Sequence, residues 1–193
     1  MRLLKEYLEG RGASVLALRE PGGTVLGERV RSILLTEGDE EIDPRAELFL
    51  YEACRAQLVA KVILPALRAG RIVLSDRFTD STLAYQGYGR GLDAGRIVSV
   101  NDFATGGLTP DLTFLLDLGV EAGLTRAMAR MDGRAGARED RFEREEAAFH
   151  ERVRNGFLEI ARREAERVRV IDGRGEIRSI HREICAIMDE LLS

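Results

Sequence analysis

The sequence predicts an α/β fold in which helices cover both faces of a parallel sheet. Three observations carry this. Four short β-branched or Leu-rich runs occur, longer amphipathic stretches lie between them, and polar or glycine-rich residues follow the runs. Runs of that kind suit strands buried on both faces, and in such sheets ligands sit beyond the carboxyl ends of the strands.

Taken in order, Leu3, Leu4, Tyr7 and Leu8 recur at helical spacing, and Gly10 and Gly12 stop the pattern. This helix is under way at the first residue, with no capping Ser, Thr, Asp or Asn before it. The run "SVLAL" (14–18) reads as the first strand, followed by a helix over about 25–35. A long helix over 44–69 opens with Asp43 as cap and Pro44 at its first position, and Pro65 should kink it late. "RIVLS" (71–75) is the second strand. "STLAYQGYGRG" (81–91) has a weak helical start, and its glycines suit either a pocket lining or a surface loop. A helix over 94–105, the strand "LTFLLDL" (112–118) and helices over about 120–131 and 143–166 follow. The strand "RVRVI" (167–171) and a helix over 176–192 complete the chain. No internal repeat is visible.

The 193 residues, 45% hydrophobic, suit one domain with a real core. With no apolar run of membrane length and no basic-apolar leader, neither a membrane span nor secretion is expected. Cys54 and Cys185 lie far apart without metal-ligand spacing, so reduced thiols and a cytoplasmic location are expected. A net charge of -4 argues against general nucleic-acid binding. Of the 29 basic residues only Lys5 and Lys61 are lysines. Genome composition explains much of this bias, but arginine also suits bidentate grip on phosphate.

Chemistry-bearing residues cluster after the strands. "REPGG" (19–23) sets a cation, an anion, a rigid turn and two glycines after the first strand; it is also ordinary turn chemistry. "SDRF" puts Asp76 and Arg77 at the end of the second. An acid there can hold magnesium through water and an arginine can reach a phosphate, or the two can cap the sheet edge as a pair. Tyr51 and Arg55, four apart, share one helix face, where a ring can stack on a base and a guanidinium can hold the attached phosphate. An amphipathic helix with one core tyrosine and one solvated arginine gives the same spacing. "RMDGRAGAREDRFERE" (130–145) carries Arg130, Arg134 and Arg138 at spacings of four, then Arg141. It reads as a cationic lid or as a solvated loop. His150 and His181 lack a partner spacing that suggests catalysis. Together these residues describe a pocket suited to phosphoryl transfer between nucleotides.

The order "REPGGT … ELFLYEACRAQ … SDRFTDSTLAYQGYGRG … PDLTFLLDL … DRFE" resembles the bacterial thymidylate kinases, from about residue 1 to the C-terminus. The resemblance implies a P-loop kinase-like fold in a single domain, 1–193, with a lid at about 131–142. It implies transfer of the γ-phosphoryl of ATP to dTMP with Mg2+, by a homodimer. By position, Tyr51 matches the aromatic that stacks on thymine, where phenylalanine is usual. Arg55 and Arg77 match the arginines that hold the dTMP phosphate. Glu20 and Arg31 match further substrate-side positions. Thr82 and Gln86 match residues that meet the pyrimidine, with Tyr85 beside the sugar. Asp76 resembles the acid near magnesium, and Arg134, Arg138 and Arg141 belong to the lid.

One departure stands out. The family begins with a strand and a glycine-rich loop ending Gly-Lys-Ser/Thr, and neither Lys5 nor Lys61 follows a glycine. "MRLLKEYLEGRG" resembles the rest of the helix that follows that loop, so about twenty residues, central strand included, are expected to be absent. The chain alone should then keep a dTMP pocket, lose its ATP site and be inactive. Two other readings stand beside this one: a non-catalytic dTMP-binding relative, and a kinase for another pyrimidine monophosphate.

Overall fold

The structure, a computed structural model, describes residues 1–36, 41–132 and 145–192, with 127–132 described by backbone alone. Helix α1 (Arg2–Gly10) leads to strand β1 (Val15–Arg19) and α2 (Val25–Leu35). Next come α3 (Pro44–Leu58), a π-helical turn (Val59–Ile63), α4 (Leu64–Arg68) and β2 (Ile72–Asp76). Helix α5 (Thr79–Thr82) runs into a second π-helical segment (Leu83–Gly89), followed by α6 (Ala94–Thr105) and β3 (Thr113–Asp117). Helices α7 (Val120–Asp132) and α8 (Ala147–Arg163), β4 (Val168–Asp172) and α9 (Ile177–Leu192) complete the order.

All four strands fall within a residue of their expected places. They pair in parallel as β1 with β2, in register from Val15 opposite Ile72 to Arg19 opposite Asp76, and as β3 with β4, from Thr113 opposite Val168 to Asp117 opposite Asp172. The expected single sheet is thus two parallel pairs: among the described residues no ladder joins β2 to β3. The strands show it in their burial. No residue of β2 or β3 is fully buried, and Leu116 is 53% exposed, unlike strands flanked on both sides.

Side chains alternate between two helical layers as period-two geometry requires. Ile72 and Leu74 of β2 and Phe114 of β3 pack with Leu4 and Leu8 of α1 and Cys185 and Met188 of α9. Val73 faces the other way, against Leu58, Val59 and Ile63. The largest cluster joins Val30 and Leu34 of α2, Cys54 of α3, Ala84, and Phe149, Val153 and Ile160 of α8. Burial pushes the Cys54 thiol up to about 11, so it packs as a small apolar group.

Two local features follow from the sequence. The Asp43 carboxylate accepts from the Arg45 N–H at 2.9 Å and Pro44 opens α3, as the sequence predicts. Pro65 lacks the N–H of an α-helical turn, and the helix widens to π geometry just before it, where the Leu64 N–H reaches Val59 O. The segment 81–91 is helical through Gly89 and so is not the surface loop considered above. Gly89 in it serves packing. A Cβ on Gly89 would lie 2.7 Å from Phe149 Cε2, and one on Gly156 of α8 would lie 2.7 Å from the Tyr88 ring. Helix α8 can lie against this segment only because both positions lack a side chain.

Candidate functional site

The carboxyl ends of β1 and β2 are adjacent. The Glu20 N–H donates to Asp76 O at 2.9 Å, which fixes the residues after one strand against those after the other. The turn after β1 contains a cis Glu20–Pro21 peptide and holds Gly23 at φ 76, where any Cβ would also strike Leu58. Its Gly23 N–H donates to Glu28 at 2.8 Å, and the Thr24 hydroxyl caps α2 by accepting from Gly27 N–H at 2.9 Å. The turn therefore sets α2, and Arg31 with it. Arg31 donates through Nη1 to Pro21 O at 3.0 Å, while its buried Nε has no partner among the described residues.

Glu47, Tyr51 and Arg55 fall at intervals of four and form one stripe of α3. Arg55 is 1% exposed, which excludes the solvated arginine considered above. Its Nε and Nη2 donate to Glu20 Oε2 at 2.9 and 2.7 Å. Its Nη1 donates to Glu52, to Thr82 Oγ1 at 2.9 Å and to Asn101 Oδ1 at 2.8 Å. Of five guanidinium N–H bonds, at most one on Nη2 is left over. Glu20 and Glu52 share this one cation in the interior, and Glu20 Oε1 and Glu52 Oε2 have no hydrogen-bond partner among the described residues. Burial pushes both carboxyls up from the usual range, and the Arg55 charge opposes it.

Arg77 follows β2 in a left-handed conformation, φ 73, where a non-glycine residue is strained. Ser75 Oγ donates to its carbonyl at 2.7 Å. The guanidinium lies over the Tyr85 ring, 4.8 Å from the centroid, and donates through Nη2 to the Tyr85 hydroxyl at 3.3 Å. Tyr85 is held edge-on by Phe149 and Phe157 of α8, both at 6.1 Å. Crowding of the guanidinium opposes its charge, while Tyr85, Tyr51 and Asp76 nearby favour it, and the residue as a whole keeps exposed surface. Asp76 is exposed at the end of its strand.

The expected residues thus fall into linked groups. Glu20, Arg55 and Thr82 form one buried network, and Arg77 and Tyr85 form an open cation–ring pair within reach of Tyr51. Gln86 is buried and donates to Glu47 Oε1 at 2.7 Å. Arg134, Arg138 and Arg141 lie outside the described residues, as does all but the start of the expected lid. Among the described residues no group of three His, Cys, Asp or Glu could hold a metal ion. No described helix is long and apolar enough to cross a membrane.

Glu47, Glu52 and Asn101 are the residues that motif reading passes over. Glu47 was legible as the first member of the Glu47–Tyr51–Arg55 stripe, and Glu52 sits three before Arg55 on the same helix. Nothing local marks Asn101, which comes from α6, 46 residues from Arg55. Asp117, polar and strand-terminal, is engaged elsewhere: it accepts both arms of Arg154 of α8 at 2.7 and 2.9 Å.

Comparison with known proteins identifies the family. The family model described as thymidylate kinase matches residues 1–184. A thymidylate kinase of Citrifermentans bemidjiense is 53% identical over 178 residues, 92% of this chain and 79% of the relative. One of Syntrophus aciditrophicus is 48% identical over 192 residues, 99% of this chain and 88% of the relative. The crystal structure of thymidylate kinase from Ehrlichia chaffeensis superposes with a TM-score of 0.76 at 34% identity, covering 97% of this chain and 88% of that one. The fold is therefore the P-loop kinase-like α/β fold, and the chain belongs to the thymidylate kinase family.

Proposed function

We propose that this single domain holds the acceptor nucleotide of a dTMP kinase, which receives the γ-phosphoryl of ATP and leaves as dTDP. The observation that carries the reading is the pairing of a strained, solvent-facing Arg77 with Tyr85 beside Tyr51, at the carboxyl ends of β1 and β2. Tyr51 stacks on the base. Thr82 and Gln86 meet its edge, and Tyr85 lies beside the sugar. Arg77 holds the phosphate, with Arg31 of α2 offering an Nε N–H that has no partner among the described residues. Arg55 is so fully engaged by Glu20, Glu52, Thr82 and Asn101 that it gives substrate at most one N–H. Phosphate charge therefore falls mainly to Arg77 and Arg31.

A phosphate monoester is already an anionic nucleophile, so catalysis rests on alignment and charge neutralisation rather than a strong general base. Magnesium needs few protein ligands when substrate phosphates supply the rest, and the exposed carboxylate of Asp76 suits that role, through water. When bound, the ion adds charge neutralisation at the phosphates. Arg134, Arg138 and Arg141 complete the catalytic set as a lid over the phosphates, at about 131–142.

The triphosphate cradle is not within these residues. No Gly-Lys pair occurs in the 193, and β2 and β3 each carry a ladder on one side among the described residues. Residues 1–193 alone are therefore inactive, and a version extended upstream by a strand and a Gly-Lys-Ser/Thr loop is active. A coupled ADP-release assay on both, with dTMP, dCMP and UMP as acceptors, tests this. Turnover by residues 1–193 alone would refute the missing cradle, and preference for UMP or dCMP would refute the choice of acceptor.

The enzyme works in the cytoplasm as a homodimer. Support comes from α2, α3 and α6, which pack side by side and expose Val25, Ile33, Phe49 and Phe103, the last 89% exposed. Sedimentation should give a dimer that Phe103→Glu weakens; a monomeric parent chain would refute it.

A further inference from the structure

Glu47 is fully buried at the head of the α3 stripe, and the base-reading role just given to Gln86 leaves it without a function. Gln86 Nε2 donates to Glu47 Oε1 at 2.7 Å. Behind it Arg90 approaches both Glu47 oxygens at 3.5 Å, pairs with Glu145 at 2.6 Å and lies over the Phe149 ring, 4.7 Å from its centroid. The Arg90 guanidinium thus faces both oxygens of a carboxylate that is 0% exposed. An ionised carboxylate only accepts hydrogen bonds, so the NH2 half of the Gln86 amide must face it, whichever way an amide is drawn. The carbonyl half must then face away.

We infer that Glu47 is a positioning residue that fixes the direction of the Gln86 amide and so sets which pyrimidine edge the site accepts. The inference rests on the reading that Gln86 meets the base. A fixed amide offers one acceptor and one remaining N–H in a set order. A pyrimidine dione presents the N3–H donor beside a carbonyl and matches that order. Cytosine presents the N3 acceptor beside an amino donor and needs the amide reversed. Reversal would set the carbonyl oxygen of Gln86 against the buried carboxylate of Glu47, acceptor against acceptor. Selectivity against cytosine is thus built into a residue that need not touch the substrate.

The test is calorimetric binding of dTMP and dCMP to the whole chain and to two variants. Glu47→Gln can donate or accept, which frees Gln86 to turn. The ratio of dTMP to dCMP affinity should fall by about tenfold or more, mainly through stronger dCMP binding. Gln86→Ala should weaken dTMP binding. An unchanged ratio in a folded Glu47→Gln protein would overturn the inference even where Gln86→Ala behaves as expected. Unchanged dTMP affinity in Gln86→Ala would overturn instead the role of Gln86 itself, and the inference with it. Should Glu47→Gln fail to fold, hydrogen exchange of the Gln86 side-chain amide in the parent chain decides. Its resonances are assigned by their loss in Gln86→Ala. Slow exchange without ligand is expected, and exchange as fast as in an exposed glutamine would overturn the inference.

Discussion

Replacing Arg55 with methionine removes the guanidinium that two buried carboxyls share while keeping much of the side-chain stem. Glu20 is 5% and Glu52 4% exposed, and each already has one oxygen without a partner among the described residues. Breaking a buried ion pair from one side costs about 3–5 kcal/mol, because the remaining charge stays in the interior. With a urea dependence of about 2 kcal/mol per molar, the unfolding midpoint at pH 8 should fall by roughly 2 M. The sign of the pH dependence follows from the same groups. Burial already raises both carboxyls, and losing Arg55 removes the attraction that opposes it. A carboxyl whose folded pKa is raised takes up a proton more readily folded than unfolded. Its penalty is absent below the unfolded value and grows as pH rises through the folded one. The variant's deficit should therefore be largest at pH 8 and shrink toward pH 5. Urea unfolding of both proteins across that range is the assay. Equal midpoints at pH 8, or a deficit that does not shrink on acidification, would refute the shared-cation account.

Three further outcomes are expected. Tyr51→Ala should weaken dTMP binding by about 1–3 kcal/mol, the worth of one stacked base, and Tyr51→Phe should not; equal affinities for all three proteins would remove Tyr51 from the site. Arg77→Gly should lose dTMP affinity by roughly 1.5–3 kcal/mol with little change for thymidine, while a thermal melt shows no loss of stability because φ 73 suits glycine. Equal losses for both ligands would mean that Arg77 supports the fold instead. Gly89→Ala places a Cβ 2.7 Å from Phe149 Cε2, and overpacking of that kind costs about 1–3 kcal/mol; an unchanged urea midpoint would refute the close approach of α8.

Much of the fold was legible because hydrophobic runs and caps are local signals. The strands begin and end where Val, Ile and Leu runs do, and Asp43-Pro44 announces α3. The segment around Gly87 and Gly89 resisted reading because Gly89 satisfies packing against α8, a contact between distant stretches of chain. In the site, residues after the strands were visible as polar clusters at predictable places. The partners of Arg55 were not: Glu20, Thr82 and Asn101 come from three different elements, and Asn101 sits in an ordinary amphipathic helix. Tyr51 and Arg55 share a stripe as their spacing requires, yet spacing alone could not say that the arginine turns inward to two acids.

The most direct measurement is calorimetric titration of residues 1–193 with dTMP, thymidine and magnesium ATP. One dTMP per chain should bind, with thymidine about tenfold or more weaker because the phosphate meets Arg77 and Arg31. Magnesium ATP should give no saturable binding. A folded chain that fails to bind dTMP, or that binds magnesium ATP as tightly, would contradict an acceptor site built without a triphosphate cradle.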